Sequence, residues 1–213
     1  MWPDSSETQE LLDRAKRGDE GAVNALFDRH REAVRRLLHL RMDRALAARV
    51  DASDIVQDVL IEANRRLSNY LSNENAMPFH LWLRALARDR LIDTHRRHRV
   101  ASRRSVDREQ RLGAGTYGDR SSLDLAAALR DSEPTPAAAA LRSELEQRFR
   151  SALDQLDEVD REVIMMRHFE RLSNREVAQA LNLSDAAAGM RYLRAIRRLR
   201  TVLGESPPQS DSS

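Results

Sequence analysis

Through most of this chain apolar residues return at three- and four-residue steps, the spacing that lines one face of an α-helix. Leu11, Leu12 and Ala15 form a first short stripe, which Ser6 or Thr8 can cap and which the sequence Arg17-Gly18-Asp19 ends. Ala22, Leu26, His30, Ala33, Leu37 and Leu40 form a longer stripe, and His30 within it is expected to be a packed histidine. Beyond a polar turn near Asp51, Ile55, Val59 and Leu67 point inward. Loop signals from Ser68 to Pro78 then lead to a helix over Phe79 to Arg99. Its spacing puts Trp82, Ala85, Leu86 and Ile92 on a packing side and Arg84, Arg88 and His95 on the other.

From Val100 to Ala140 this pattern dissolves into arginine, glycine, serine, alanine and the Pro134-Thr135-Pro136 sequence, which predicts a linker with transient helix around Leu123 to Leu129. Periodicity resumes near Leu141. Leu145, Phe149, Ala152 and Leu156 make one stripe, and Val159, Val163, Met166 and Phe169 the next. Ser173 followed three residues on by Glu176 is a capping box, opening a short helix that buries Val177, Ala180 and Leu181. The turn Leu181-Asn182-Leu183 leads to Ser184, a good N-cap for a last helix whose Ala188, Tyr192, Ala195, Leu199 and Val202 face inward. Two helices so joined are a helix-turn-helix. With no alternating β-branched runs, the fold class is all-α: two helical domains, a flexible linker, and a disordered tail after residue 204.

Composition narrows the picture. The 213 residues include no cysteine, which removes disulfides, thiolate metal sites and cysteine nucleophiles together. No apolar run approaches the roughly 20 residues needed to cross a bilayer, and the N-terminus lacks the basic-then-apolar order of a signal peptide, so a cytoplasmic protein without membrane insertion is expected. Lys16 is the sole lysine, an arginine bias read first as genome base composition.

Charge is unevenly placed. Between Arg84 and Arg104 eight arginines stand against Asp89 and Asp93, a net +6 in a chain whose formal total is +2. That concentration suggests a footprint on a phosphate backbone, the alternative being a solvated arginine-rich helix. The last helix carries Arg191, Arg194 and Arg198 outward, as a recognition helix in a major groove would. Asp54, Gln57 and Asp58 make an acidic, amide-bearing face, which helix-dipole compensation would also explain. Asp89 falls on the side of Trp82 and Leu86, where a carboxylate should be paired or used. A nuclease built on Asp89 and Asp93, or a metal on His95 and His98, lacks a third ligand. No catalytic residue, cofactor or metal site is expected.

RGDEGAVNALFDRH, DIVQDVLIEA, FHLWLRALARDRLIDTHRR and LDQLDEVDREVIMMRHFERLSNREVAQALNLSDAAAGMRYLRAIRRLR, in this order, resemble the sigma-70 family of RNA polymerase sigma factors, in its small two-domain extracytoplasmic-function (ECF) group. The resemblance covers both domains and implies a region 2-like domain over 5–99, a linker over 100–140, a region 4-like domain over 141–204 and a tail over 205–213. It implies a transcription initiation factor whose partners are promoter DNA, core RNA polymerase through its β′ clamp helices and β flap, and an anti-sigma factor. Residue by residue, Asp54, Gln57 and Asp58 would face the clamp helices. The loop from Asn69 to Pro78 would form a pocket for a flipped base. Arg84, Arg88, Asp89, Asp93, Arg96 and Arg97 would lie along the melted minus-ten strand. Ser184, Ala187, Met190, Arg191, Arg194 and Arg198 would meet the minus-thirty-five element.

Two departures stand out. Asp89 occupies a position where the family commonly has asparagine, and a carboxylate accepts but does not donate. Ala186, Ala187, Ala188 and Gly189 replace the commoner Gly-Thr-Val-Lys run, shortening the side chains that would reach bases. The alternative function is a polymerase-independent helix-turn-helix regulator, which leaves Asp54, Gln57 and Asp58 without a role.

Overall fold

The computed structural model describes residues 2–73, 76–109, 144–145, 148–149 and 151–204, with the side chains of 44, 45 and 99–109 left aside. Every element among them is helical. The expected linker beyond residue 109, its helix around Leu123 to Leu129 and the tail after residue 204 lie outside the described residues. The chain divides into two compact units on either side of Leu123.

The first unit holds α1 (Ser5–Lys16), α2 (Glu20–Arg41), the single turn α3 (Arg44–Ala47), α4 (Ala52–Ser72) and α5 (Phe79–Glu109). Four of these helices start at an aspartate, the single turn α3 at Asp43, which accepts the Leu46 N–H. Asp4, Asp19 and Asp51 accept backbone N–H groups of Ser6, Ala22 and Ser53, which satisfies otherwise orphaned donors. All three carboxyls are held below their usual range, first by the Ser6 hydroxyl at Asp4, by the Arg14 guanidinium at Asp19 and by the Ser53 N–H at Asp51. The cap of α1 is therefore Asp4 rather than Ser6 or Thr8; the Ser6 hydroxyl donates to Asp4, and buried Thr8 donates to the Asp4 carbonyl. Gly18, in the left-handed region at φ 87°, makes the turn from α1 into α2.

Helices α2, α4 and α5 share one core. Leu26, Val34, Leu37 and Leu38 meet Ile55, Val56, Val59, Ala63 and Leu67, and both sets meet Phe79, Leu83, Leu86, Ala87 and Leu91. Leu38 takes the buried place expected for Leu40, which is half-buried. Phe79 is the hub of an aromatic cluster, 5.0 Å from the His30 ring and 5.5 Å from those of Tyr70 and Trp82. His30 is packed as expected; its Nδ1 lies 2.8 Å from the Leu26 carbonyl, and since that oxygen only accepts, Nδ1 carries the proton.

Three sequence expectations change here. Helix α4 runs on to Ser72, because Tyr70 and Leu71 pack against the core and reward continued helix, so the loop begins at Asn73 rather than Ser68. Helix α5 continues past Arg99 to Glu109 through a stretch free of glycine and proline. The inward face of α5 is also turned. It presents Phe79, Leu83, Leu86, Ala87, Leu91 and Thr94, whereas Ile92 is 48% exposed and Trp82 only half-buried.

In the second unit a helical stretch ending at residue 154 precedes α6 (Glu158–Ile164), which continues as a π-helical turn over Met165–Phe169. Then come α7 (Asn174–Leu181) and α8 (Asp185–Leu203). Ala152, Leu153, Leu156, Ile164 and Met165 pack on Ala195 and Leu199. Leu145, Val159 and Val202, all expected inside, are exposed, each standing at the end of its stripe.

Candidate polymerase- and DNA-binding surfaces

The outward line of α4 begins with Asp54 and Gln57, both exposed. Asp58, one turn on, is half-exposed and lies 3.7 Å from Arg90 Nε on α5, so it is shared between a surface role and an interhelical ion pair. Ile61 continues the same line and is exposed, an apolar member of a polar face that periodicity alone did not single out. Because α4 commits Ile55, Val56, Val59 and Leu60 to the core, Asp54 and Gln57 are turned toward solvent or a partner.

On α5 the turned face regroups the minus-ten candidates. Arg84 is a correction: it is 3% exposed and partnered, because the first turns of α5 are enclosed on both sides, as the burial of Leu81 and Leu83 shows. It is a packed arginine and presents no cation to a strand. Arg88 is half-buried and also partnered. Asp89, expected inside beside Leu86, is exposed, as are Asp93, Arg96 and Arg97. The premise that Asp89 needs a buried partner therefore falls. Arg97 Nε reaches back to the Asp93 carbonyl at 3.4 Å, and His95 Nδ1 lies 3.5 Å from Asp43 Oδ2. His95 thus faces Asp43 at the α2–α3 junction, and among the described residues no three potential ligands come together around a metal.

At the head of that face Tyr70 and Trp82 stack with ring centroids 4.6 Å apart. The Tyr70 hydroxyl donates to the Met77 carbonyl at 2.9 Å, tying the loop before α5 back to the end of α4. Burial pushes the Tyr70 phenol up to about 12, so it stays a donor at any working pH. Of the loop expected over Asn69 to Pro78, the part before Asn73 is helix, and residues 74–75 lie outside the described residues.

The second unit contains the helix-turn-helix. Ser173 and Glu176 form the full capping box, Glu176 accepting the Ser173 N–H at 2.7 Å while Ser173 Oγ accepts the Glu176 N–H at 3.2 Å. Asn182 ends α7 in the left-handed region at φ 53°, which asparagine tolerates. Asn174 Nδ2 donates to the Asp185 carbonyl at 2.7 Å, bridging the two helices, and Ser184 Oγ caps α8 through the Ala187 N–H. Tyr192 anchors the middle of α8: its hydroxyl is 2.9 Å from His168 Nε2, and the Arg167 guanidinium lies 5.5 Å from its ring centroid.

With Ala188, Ala195 and Leu199 inward, α8 turns Ala186, Met190, Leu193 and Arg197 directly outward, flanked by Ala187 and Arg194. Leu193 and Arg197 were not singled out from the sequence, although the four- and three-residue steps from Ala186 point to them. Arg191 is half-buried. Arg198 is the second correction. Its Nη1 donates to Asp157 and Asp160, both at 2.6 Å, binding α8 to the start of α6. The Asp160 N–H and Arg198 hold the Asp157 carboxyl below its usual range, and the two carboxylates, Asp160 first, hold the guanidinium above its own.

The model of sigma-70, region 4, matches residues 146–199, the segment that contains the helix-turn-helix. Over the whole chain the likeness is broader. RNA polymerase sigma factor CnrH of Cupriavidus metallidurans is 32% identical over 200 residues, covering 91% of this chain and 92% of that protein. RNA polymerase sigma factor NccH of Alcaligenes xylosoxydans is 30% identical over 210 residues, covering 95% and 98%. The ECF RNA polymerase sigma-E factor of Haemophilus influenzae is 29% identical over 187 residues, covering 88% and 90%. Among solved structures, that of CnrH in complex with the cytosolic domain of CnrY has a TM-score of 0.55 at 23% identity, covering 96% of this chain and all of that one, a likeness of fold. Helices that cap, pack and turn in this order, over a length that these relatives share almost end to end, place the chain in the ECF group of the sigma-70 family: it is a non-enzymatic transcription initiation factor, which binds RNA polymerase and directs it to promoters.

Proposed function

We propose that the α4 face of Asp54, Gln57 and Asp58 docks on the β′ clamp helices of core polymerase, and that the two units divide promoter recognition between them. The observation that carries this reading is the exposure of Asp54 and Gln57 on a helix whose opposite face is committed to the core. In the first unit Asp89, Asp93, Arg96 and Arg97 lie along the melted minus-ten strand, and the loop held by Tyr70 helps enclose an unstacked base. Opening then needs no hydrolysis, only binding energy for single-stranded DNA. In the second unit α8 enters the major groove of the minus-thirty-five element, with Arg194 and Arg197 toward phosphates and the β flap supporting the unit from behind.

The organisation carried forward is a region 2-like domain over 5–99, a linker over 100–140 and a region 4-like domain over 141–204. The site of action is the cytoplasm, in keeping with the partner; no described helix is long and apolar enough to cross a membrane. An anti-sigma protein is a further partner, supported by the CnrH structure, which holds that protein together with the cytosolic domain of CnrY.

The test is co-purification of full-length chain with core polymerase. Asp54→Arg combined with Gln57→Ala leaves the Asp58–Arg90 pair intact, so the fold should survive while core binding is lost. Full retention of core binding by this variant overturns the α4 assignment.

A further inference from the structure

The recognition helix is most apolar where it is most exposed. Met190, at 57%, is the most exposed large apolar side chain among the described residues, and Leu193, three positions on, is 50% exposed. Together with Ala186 they form one line, directly opposite buried Ala188, Ala195 and Leu199. Among the described residues nothing in the folding of the unit requires this line, since the helix already has an inward stripe. Two large apolar side chains held in water at the centre of an outward face point to a surface that is covered in use.

The surroundings say what covers it. A helix-turn-helix presents the first turns of its second helix to base edges. Along the outward line of α8 those turns carry no side chain able to make a two-pronged bond to guanine or adenine; Arg191, the one guanidinium among them, is half-buried and lies off that line. Ser184 is spent on its cap, and Ala186, Ala187, Gly189, Met190 and Leu193 have neither donor nor acceptor. The outward arginines, Arg194 and Arg197, come only after this line and suit a flanking phosphate backbone. Charge at one end and apolar surface at the other match a duplex, whose major groove offers one apolar feature, the C5-methyl group of thymine.

We propose that the first half of α8 reads thymine methyl groups in the minus-thirty-five duplex, with Met190 and Leu193 as the specificity-determining side chains. This rests on the reading that α8 enters the major groove. Recognition is then a matter of contact area: each methyl packed against Met190 or Leu193 leaves water, and guanine-rich elements gain nothing from this stretch of helix. The alanines beside them let the helix axis sit deeper, bringing the two longer side chains to the floor of the groove.

The experiment uses holoenzyme reconstituted from core polymerase and the full chain, with a promoter recovered from a randomised library. Each thymine of its minus-thirty-five element is replaced singly by deoxyuridine, which deletes the methyl and leaves every hydrogen-bonding group in place. At one or more positions the exchange should weaken binding about four-fold, the equivalent of one buried methyl-sized group at ~0.8 kcal/mol. Met190→Ala or Leu193→Ala should abolish that sensitivity; both residues are exposed, so neither change threatens the fold. If binding depends on the duplex element but deoxyuridine is tolerated at every position, the thymine reading is overturned and the apolar line is a protein contact. If binding depends on no duplex element upstream of the melted region, the major-groove reading falls as well.

Discussion

Arg198 Nη1 lies 2.6 Å from Asp160 Oδ2, and Asp160 is 4% exposed, so the innermost carboxylate of α6 is neutralised by a cation from α8. An arginine that looks from its spacing like a phosphate contact is instead the clasp of the C-terminal unit. Removing it strands a carboxylate that has little water to fall back on.

Arg198→Ala should therefore lower the thermal midpoint of the C-terminal unit by roughly 5 °C. Arg194→Ala, by contrast, should leave the midpoint unchanged and lower the salt slope of promoter binding by about one. Hydrogen exchange over α8, set beside binding at several salt concentrations, separates the two. Equal loss of salt slope from both variants would show that Arg198 reaches phosphate despite its clasp.

His30 should make the first unit sensitive to mild acid. Burial, the first cause, pulls its pKa down from 6.5 to about 4, so the folded protein resists a proton that the unfolded chain accepts. Stability from this group is complete above pH 6.5, declines as the pH falls toward 4, and amounts to ~3 kcal/mol over that window. Trp2 and Trp82, the chain's two tryptophans, both report on this unit, so urea midpoints followed by fluorescence measure the slope directly. His30→Leu should remove it.

Gly189 should be replaceable by alanine at a gain. A Cβ built there stands 3.6 Å from Asn174 Oδ1, an ordinary contact, within an unbroken helix. Gly189→Ala should stabilise α8 by about 0.5–1 kcal/mol, seen as slower amide exchange along the helix. Faster exchange would mean that Asn174 had been forced off its bond to the Asp185 carbonyl.

Asp89→Asn should leave the urea midpoint where it is, because the carboxylate is exposed rather than enclosed beside Leu86. Its effect should appear instead in a promoter library, as altered preference at one minus-ten position, since asparagine adds a donor where the carboxylate only accepts. A lower midpoint with unchanged preference would make the residue structural.

Much of this protein was legible from local sequence because much of it is locally determined. The capping box of Ser173 and Glu176, the Ser184 cap and the short link at Asn182 depend on residues within a few positions of one another, so reading them suffices to place the helix-turn-helix. The inward stripes of α2 and α8 were equally plain, since each of those helices has one dominant apolar face. Helix α5 has no such face: Trp82, Leu86 and Ile92 compete with Phe79, Leu83 and Leu91, and only the packing of α2 and α4 against it chooses between them. That choice put Arg84 inside and Asp89 outside. Arg198 was settled in the same way, by carboxylates 41 and 38 residues earlier in the chain, because a guanidinium takes whichever anion the fold brings within reach.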